Sequence, residues 1–324
     1  MIKKKLIFGT QCLGSYLNER ESLSLLDKVY DFGVKKFDTA ERYPFPEKSE
    51  TYGLTEEIIG NWHKKNRLRN SILIDTKVMG RNFGEIKPVK SKRLSPRRII
   101  SAAEGSLKRL KTDYIDTFFI HWPDRFTNNF DRLYYNPEND PKYIPLEVQF
   151  EAIYRLKKSG KIRNFGISNE TAWGLSKFNN LSKKNKIKLF SQEEYSLLNR
   201  KIEIAMKEIF IRDNVKFSAY SPLGGGLLTG KYFKNKKYNG RFNKIRNFKK
   251  KRGYKNKFEK SKKIFNFCRK NSIDIVKLSF SFLYYQEFVN GIIFGLSSNE
   301  QFNEIKATLK KPIQRKYVNK ILDL

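Results

Sequence analysis

The chain has 324 residues, with 67 Lys and Arg against 33 Asp and Glu, a formal net charge of +34 at pH 7 and 39% hydrophobic residues. That length can bury a sizeable core, and the dispersed apolar residues offer no run near the ~18 needed to cross a bilayer. Two cysteines, Cys12 and Cys268, make no disulfide framework, and two histidines exclude a His-rich metal site, so no metal is expected.

The charge invites a nucleic-acid reading. Lysine, however, is spread along the chain and abundant together with Asn, Ile, Phe and Tyr, as A/T-rich coding produces, so no specific nucleic-acid partner is expected. The opening MIKKKLIFGTQCLG holds a three-residue apolar run, short of a signal-peptide core of roughly 7–15 residues. The expectation is a cytoplasmic protein without a membrane segment.

In chain order, LIF (6–8) reads as a strand. Residues 22–33 read as a helix with Leu23, Leu26 and Tyr30 on one face and Gly33 ending it, followed by strand 34–38. Helix 50–65 spaces Leu54, Ile58 and Trp62 by four, and strand 71–77 follows. Ser95 caps a helix with Pro96 at its first position and Ile99, Ala103, Leu107 and Leu110 inward. Strand 113–122, helix 146–159, strand 161–168, a helix around 173–181, strand 187–192, helix 202–212 and strand 215–220 continue the alternation. A basic loop over 231–257 leads to helices near 258–270 and 274–286, strand 291–295 and helix 299–310.

Eight strands alternating with helices imply parallel pairing with right-handed crossovers. In this length they predict an α/β fold of the eight-stranded parallel (β/α)8 TIM-barrel type, with long βα loops, as a single domain over 1–324. GTQCLG lacks the GxGxxG spacing of a Rossmann site.

Barrel enzymes work at the C-terminal ends of their strands, which selects the polar residues to weigh. Asp38 ends the second strand with Tyr43 in its loop, Lys77 ends the third, and His121 the fourth. Ser168 and Asn169 end the fifth, Gln192 the sixth, Tyr220 and Ser221 the seventh, and Gly295 the eighth. Singly, an Asp caps turns and a Lys reaches solvent; four such residues on successive strand ends point to a site. His63, in Trp62-His63-Lys64-Lys65, reads as solvated surface. A phenol with a pKa near ~10 is a poor acid unaided. Lys77 would lower it, Asp38 would hold Lys77, and His121 would orient a carbonyl beside Tyr43. Protonating an alkoxide formed from a carbonyl needs a hydride source, here a nicotinamide cofactor.

FDTAERY (37–43), FIHWPD (119–124), GKIRNFGISNE (160–170), YSLLNR (195–200) and AYSPLGGGLLTGKY (219–232) together resemble the aldo-keto reductase superfamily. ETYGLTEEIIGNW (50–62) is similar to its bacterial Tas-like branch. The resemblance implies a barrel that binds NADPH extended across its mouth. It implies Tyr43 as general acid, Asp38 and Lys77 as its supporting pair, and His121 as the carbonyl-orienting residue. By the same resemblance Ser168, Asn169 and Gln192 hold the nicotinamide carboxamide and Tyr220 stacks on its ring. Ser221, Leu223 and Gly224 wrap the pyrophosphate, and Gly295, Ser297, Gln301 and Glu304 lie at the adenine end.

There are departures. Ser297 stands where an arginine for the 2′-phosphate is frequent, and Ile305 where an adenine-binding Asn is usual. Hydroxyls of Ser297 and Ser298 at a helix N-terminus, with the basic loop, are expected to receive the phosphate instead, which favours NADP(H). Glu193 replaces a usual Asn after Gln192. The β-hairpin that plugs many such barrels is reduced to MIKKK or missing. Phe45 and Trp122, with Tyr16, Phe83 and the aromatic stretch 124–143, are expected to wall the substrate pocket, and a small-molecule aldehyde or ketone is the expected partner. The alternative reading is a cofactor-binding regulatory subunit of the same fold.

Overall fold

The computed structural model of the protein describes residues 2–82, 89, 93–128, 134–139, 142–234 and 252–322. Eight strands, β1 (Leu6–Gly9), β2 (Lys36–Asp38), β3 (Leu73–Val78), β4 (Ile115–Ile120), β5 (Ile162–Ser168), β6 (Leu189–Glu194), β7 (Lys216–Tyr220) and β8 (Val289–Phe294), pair in parallel and in chain order. β8 returns to pair with β1 and closes the barrel. This is the expected TIM barrel: a helix follows most strands and supplies the return that parallel pairing requires.

The helices are α1 (Glu19–Asp31), α2 (Leu54–Lys65), α3 (Pro96–Leu110), α4 (Leu146–Lys158), α5 (Ala172–Lys184), the short α6 (Ile202–Ala205), α7 (Lys207–Arg212) and α8 (Lys231–Lys234), then α9 (Arg252–Lys270), α10 (Ile275–Tyr285), α11 (Asn299–Ile305) and α12 (Arg315–Leu322). Local sequence starts several of them. Asn18 and Glu21 form a capping box on α1. Ser95 Oγ accepts from Arg98 N on α3, with Pro96 at the first turn. Asp274 caps α10 in the same way. The aromatic residues fill the layer between barrel and helices: Phe165 lies 6.0 Å from Phe150 of α4 and 5.5 Å from Phe178 of α5, and Phe37 lies 5.0 Å from Trp62 of α2.

Several expectations are corrected. The buried stripe of α1 is Ser22, Leu25, Leu26 and Val29, with Leu23 and Tyr30 only half-buried. Helix 202–212 breaks at Met206 into α6 and α7. Helix 299–310 stops at Ile305, and α12, signalled by Val318 and Ile321 three apart, was not foreseen. The basic stretch 231–257 is not a loop throughout: its first residues form α8 and its last begin α9, while 235–251 lie outside the described residues. Ahead of β1, where the hairpin was expected to be reduced or missing, stands a 3₁₀ turn, Ile2–Lys5. Ile2 is fully buried, and Lys5 Nζ donates to the carbonyls of Tyr284 and Gln286 at the end of α10.

His63 is the clearest correction. It is buried, and its Nε2 lies 2.7 Å from the carbonyl of Leu110, the last residue of α3. Ile59 and His63, four apart, form a second buried row on α2, and the imidazole N–H occupies a helix-end carbonyl that would otherwise lack a partner. Burial holds its pKa below the ordinary value.

Candidate active site

Tyr43 is positioned by β3 although β2 ends at Asp38. Thr39 N donates to Asp75 O at 2.8 Å and Glu41 N to Lys77 O at 3.2 Å, so the chain keeps β3 company beyond the strand. The Glu41 side chain accepts from Met79 N at 2.6 Å, and Tyr43 N closes a turn onto Ala40 O at 3.0 Å. Gly80 follows because a Cβ there would overlap the Trp122 carbonyl.

Lys77 points into the barrel. Its Nζ donates to Asp38 Oδ2 at 2.6 Å and to Thr39 O at 2.7 Å, all buried. The other carboxylate oxygen, Oδ1, accepts from Gln192 Nε2 at 2.7 Å. One buried carboxylate therefore joins an ammonium from β3 to an amide from β6. Gln192 donates with its nitrogen and keeps its carbonyl oxygen as an acceptor for another partner. Lys77 Nζ lies 5.4 Å from the centre of the Tyr43 ring, and His121 meets that ring edge-on at 5.7 Å. Asp38, Tyr43, Lys77 and His121 thus stand together, as expected from the sequence.

The electrostatics differ from expectation at Tyr43. Burial pushes its pKa up, Lys77 pulls it down, and burial prevails, so the phenol is protonated at neutral pH. Lys77 has two short acceptors of its own, which temper its pull on the phenol. Burial depresses the Lys77 ammonium, but Asp38 and the phenol oxygen outweigh this and its pKa is raised. Burial, then Lys77 and Arg42, holds His121 well below the ordinary value, so the ring is neutral, and its Nδ1 is buried with no hydrogen-bond partner among the described residues.

The polar residues of β5 to β7 interlock beside this cluster. Ser168 Oγ donates to Gln192 O at 2.9 Å. Asn169 Nδ2 donates to His121 O at 2.9 Å and Ser168 Oγ at 3.1 Å, and its Oδ1 accepts from Tyr220 at 2.5 Å. Asn169 and Ser221 have φ of 54° and 56°, a left-handed conformation uncommon outside glycine. Each turns the chain sharply where a strand reaches the barrel mouth. Past Ser221 and Leu223, Gly224, Gly225 and Gly226 continue with φ of 55°, 67° and 99°, and a Cβ at Gly226 would meet nothing within 4 Å among the described residues. The bare backbone at Gly226 leaves room beside it for a phosphate-bearing ligand.

Glu193 now has a structural account. It is buried, and its Oε1 accepts from Glu170 N at 3.0 Å and Ser191 Oγ at 3.3 Å. Glu170 is paired in turn with Arg125, two hydrogen bonds from one guanidinium, and Arg125 lies over Trp173 at 4.7 Å. The network ties the β4 loop bearing His121 to the β5 turn bearing Asn169 and to β6. Burial, against the hydrogen bond from Glu170 N, raises the Glu193 pKa well above 4.5. An unfolded Glu ionises near 4.5 while the folded one keeps its proton, so folding takes up a proton above that pH. Glu193→Gln, which retains an acceptor for Glu170 N, is expected to gain stability over the wild type as pH rises from about 4.5, at a slope approaching about 1.4 kcal/mol per pH unit. Urea midpoints of the two proteins should diverge with pH; parallel curves would show Glu193 ionised.

Farther along the mouth, Gly295 follows β8. Ser297 N donates to Gln301 Oε1 and Gln301 Nε2 to Ser297 Oγ, both at 2.9 Å. Ser298 Oγ caps α11 by accepting from Gln301 N, and Glu304 pairs with Lys231 at 3.0 Å. Ser297, Gln301 and Glu304 are thus engaged with protein partners. Phe45 and Trp122 are half-buried and Tyr16 is 42% exposed, while Phe83 lies outside the described residues. Three groups were missed by sequence reasoning: the Glu41–Arg98 ion pair, the Arg125–Glu170 pair, and Arg42, whose guanidinium lies over the Trp122 ring. The signal for the first two was a charged residue inside an otherwise apolar pattern or directly after a strand-end motif.

The family model described as Aldo/keto reductase family matches residues 5–324. Protein tas of Escherichia coli (strain K12) is 34% identical over 300 residues, 90% of this chain and 86% of its own. Uncharacterized oxidoreductase YrpG of Bacillus subtilis (strain 168) is 32% identical over 238 residues, 71% of this chain and 66% of its own. An aldo-keto reductase of Babesia bovis is 41% identical over 152 residues, 43% of this chain and 53% of its own.

Proposed function

Because the chain belongs to the aldo/keto reductase family, and is on that ground an oxidoreductase of carbonyl compounds, we propose that it reduces an aldehyde or ketone to an alcohol with NADPH, as one domain over 1–324. The observation that carries the reading is the buried Asp38–Lys77 pair beside the Tyr43 ring, which His121 meets edge-on. The bound nicotinamide would supply the hydride. Tyr43 gives its phenolic proton to the carbonyl oxygen as negative charge develops there. The neutral ring of His121 has one N–H to donate to that oxygen and holds it against the phenol. Lys77, kept charged by Asp38, favours the phenolate left behind.

Ser168, Asn169 and Gln192 hold the carboxamide in this reading, and Tyr220 lies against the ring. Ser221, Leu223 and Gly224 follow the pyrophosphate, and Gly295, Ser297, Gln301 and Glu304 line the adenine end. Phe45 and Trp122 wall the substrate pocket. Among the described residues no helix is long and apolar enough to cross a membrane, and the place of action is proposed to be the cytoplasm. A panel of aldehydes and ketones followed by NADPH oxidation tests the activity, and turnover of no member would refute it. NADPH is expected to quench the intrinsic fluorescence at lower concentration than NADH, since the strongly basic chain favours the extra phosphate. Equal midpoints would remove the preference for NADPH.

A further inference from the structure

The residue before Tyr43 is a cation that proton transfer does not require. The Arg42 guanidinium lies over the Trp122 ring, with Cζ 4.6 Å from its centre. That ring leans on His121 at 5.0 Å, and His121 meets Tyr43 at 5.7 Å. A fixed positive charge therefore stands one ring away from the two side chains between which a carbonyl would be held. Both feel it: Arg42 lowers the pKa of Tyr43 and helps to depress that of His121.

The guanidinium is only partly satisfied. Its Nη2 pairs with Glu47 Oε1 at 2.5 Å, while Nε is buried and has no hydrogen-bond partner among the described residues. A buried donor left unpaired costs about 1–3 kcal/mol, more when charged. The nitrogens Nε and Nη2 form the side-on edge that receives a carboxylate through two parallel hydrogen bonds. Glu47 takes half of that edge from a chain position five residues away. Both side chains are about one-fifth exposed, 20% for Arg42 and 24% for Glu47, while Nε itself is covered, so an incoming carboxylate reaches this edge as Glu47 swings away. Trp122 and Phe45 nearby are aromatic and offer a substrate no such anchor.

We propose that Arg42 is a substrate-anchoring residue, and that the preferred substrates are aldehydes or ketones carrying a carboxylate, which takes the side-on edge that Glu47 half fills. The proposal rests on the reductase reading of the site. Glu47 then acts as an internal competitor: it neutralises the guanidinium when no substrate is present and makes way for the incoming carboxylate.

The test compares kcat/KM for 4-carboxybenzaldehyde and its neutral methyl ester, with saturating NADPH, in the wild type, Arg42→Gln, Arg42→Lys and Glu47→Gln. The wild type should prefer the acid by about tenfold or more. Arg42→Gln should bring the ratio near that of the two compounds' intrinsic reactivities, Arg42→Lys should keep part of the preference, and Glu47→Gln should raise it. The chain's general positive field barely changes when one of its 67 Lys and Arg residues is removed, so a preference that survives in Arg42→Gln overturns the anchor. Turnover of the ester with no preference in the wild type also overturns it and leaves the reductase reading standing. Turnover of neither compound overturns the anchor, and the carbonyl panel then decides the reductase reading.

Discussion

Tyr43→Phe is expected to lower kcat for 4-nitrobenzaldehyde by about 10²–10⁴-fold, the contribution typical of a positioned general acid. The substitution removes one oxygen and leaves the ring that meets His121 and faces Lys77. NADPH binding, read by fluorescence, should keep its midpoint. The raised pKa of the phenol does not weaken this role. A forming alkoxide is far more basic than a phenolate, so the proton moves downhill, and a phenol protonated throughout the neutral range is always ready to give it. For the same reason the wild-type rate of reduction should be nearly flat between about pH 6 and about pH 8, because neither Tyr43 nor the depressed His121 titrates there. Near-wild-type turnover in Tyr43→Phe would show that another group protonates the product.

Much of this site was legible from the chain because barrel topology converts sequence position into spatial position. Once the strands are recognised, Asp38, Lys77, His121 and Gln192 must converge, and they do. Their detailed partners were not legible. That Asp38 serves Lys77 and Gln192 at once depends on the registers of three strands that are distant in sequence. The protonation of Tyr43 turns on a contest between burial and one ammonium, whose outcome follows only from how deeply each sits. His63 shows the same limit. Two lysines follow it and suggest solvent, yet its spacing from Ile59 places it inward, against a helix end that no local pattern reveals. Glu193 looked anomalous as a letter in a motif; in the structure it is the acceptor for the turn that presents Asn169.

The largest effect on stability is expected not at the catalytic cluster but beside it. Arg98→Ala should destabilise the fold by about 3–5 kcal/mol, the usual cost of removing one partner of a buried ion pair. Arg98 of α3 reaches Glu41, and their side chains are 9% and 2% exposed. Without the guanidinium, Glu41 keeps the hydrogen bond from Met79 N but would carry its charge in the interior. Against a total folding free energy of about 5–15 kcal/mol this is a large share, and it should appear as a lower urea midpoint with an unchanged slope. Glu41 also stands two residues before Tyr43 and pins that turn to β3, so the loss should reach the active site as well. Adding Glu41→Gln to Arg98→Ala removes the stranded charge while keeping an acceptor for Met79 N. The double variant should therefore be more stable than Arg98→Ala alone, and this sign separates the two explanations of the loss. If the pair contributed only packing, the second substitution would leave the midpoint where it was or lower it further.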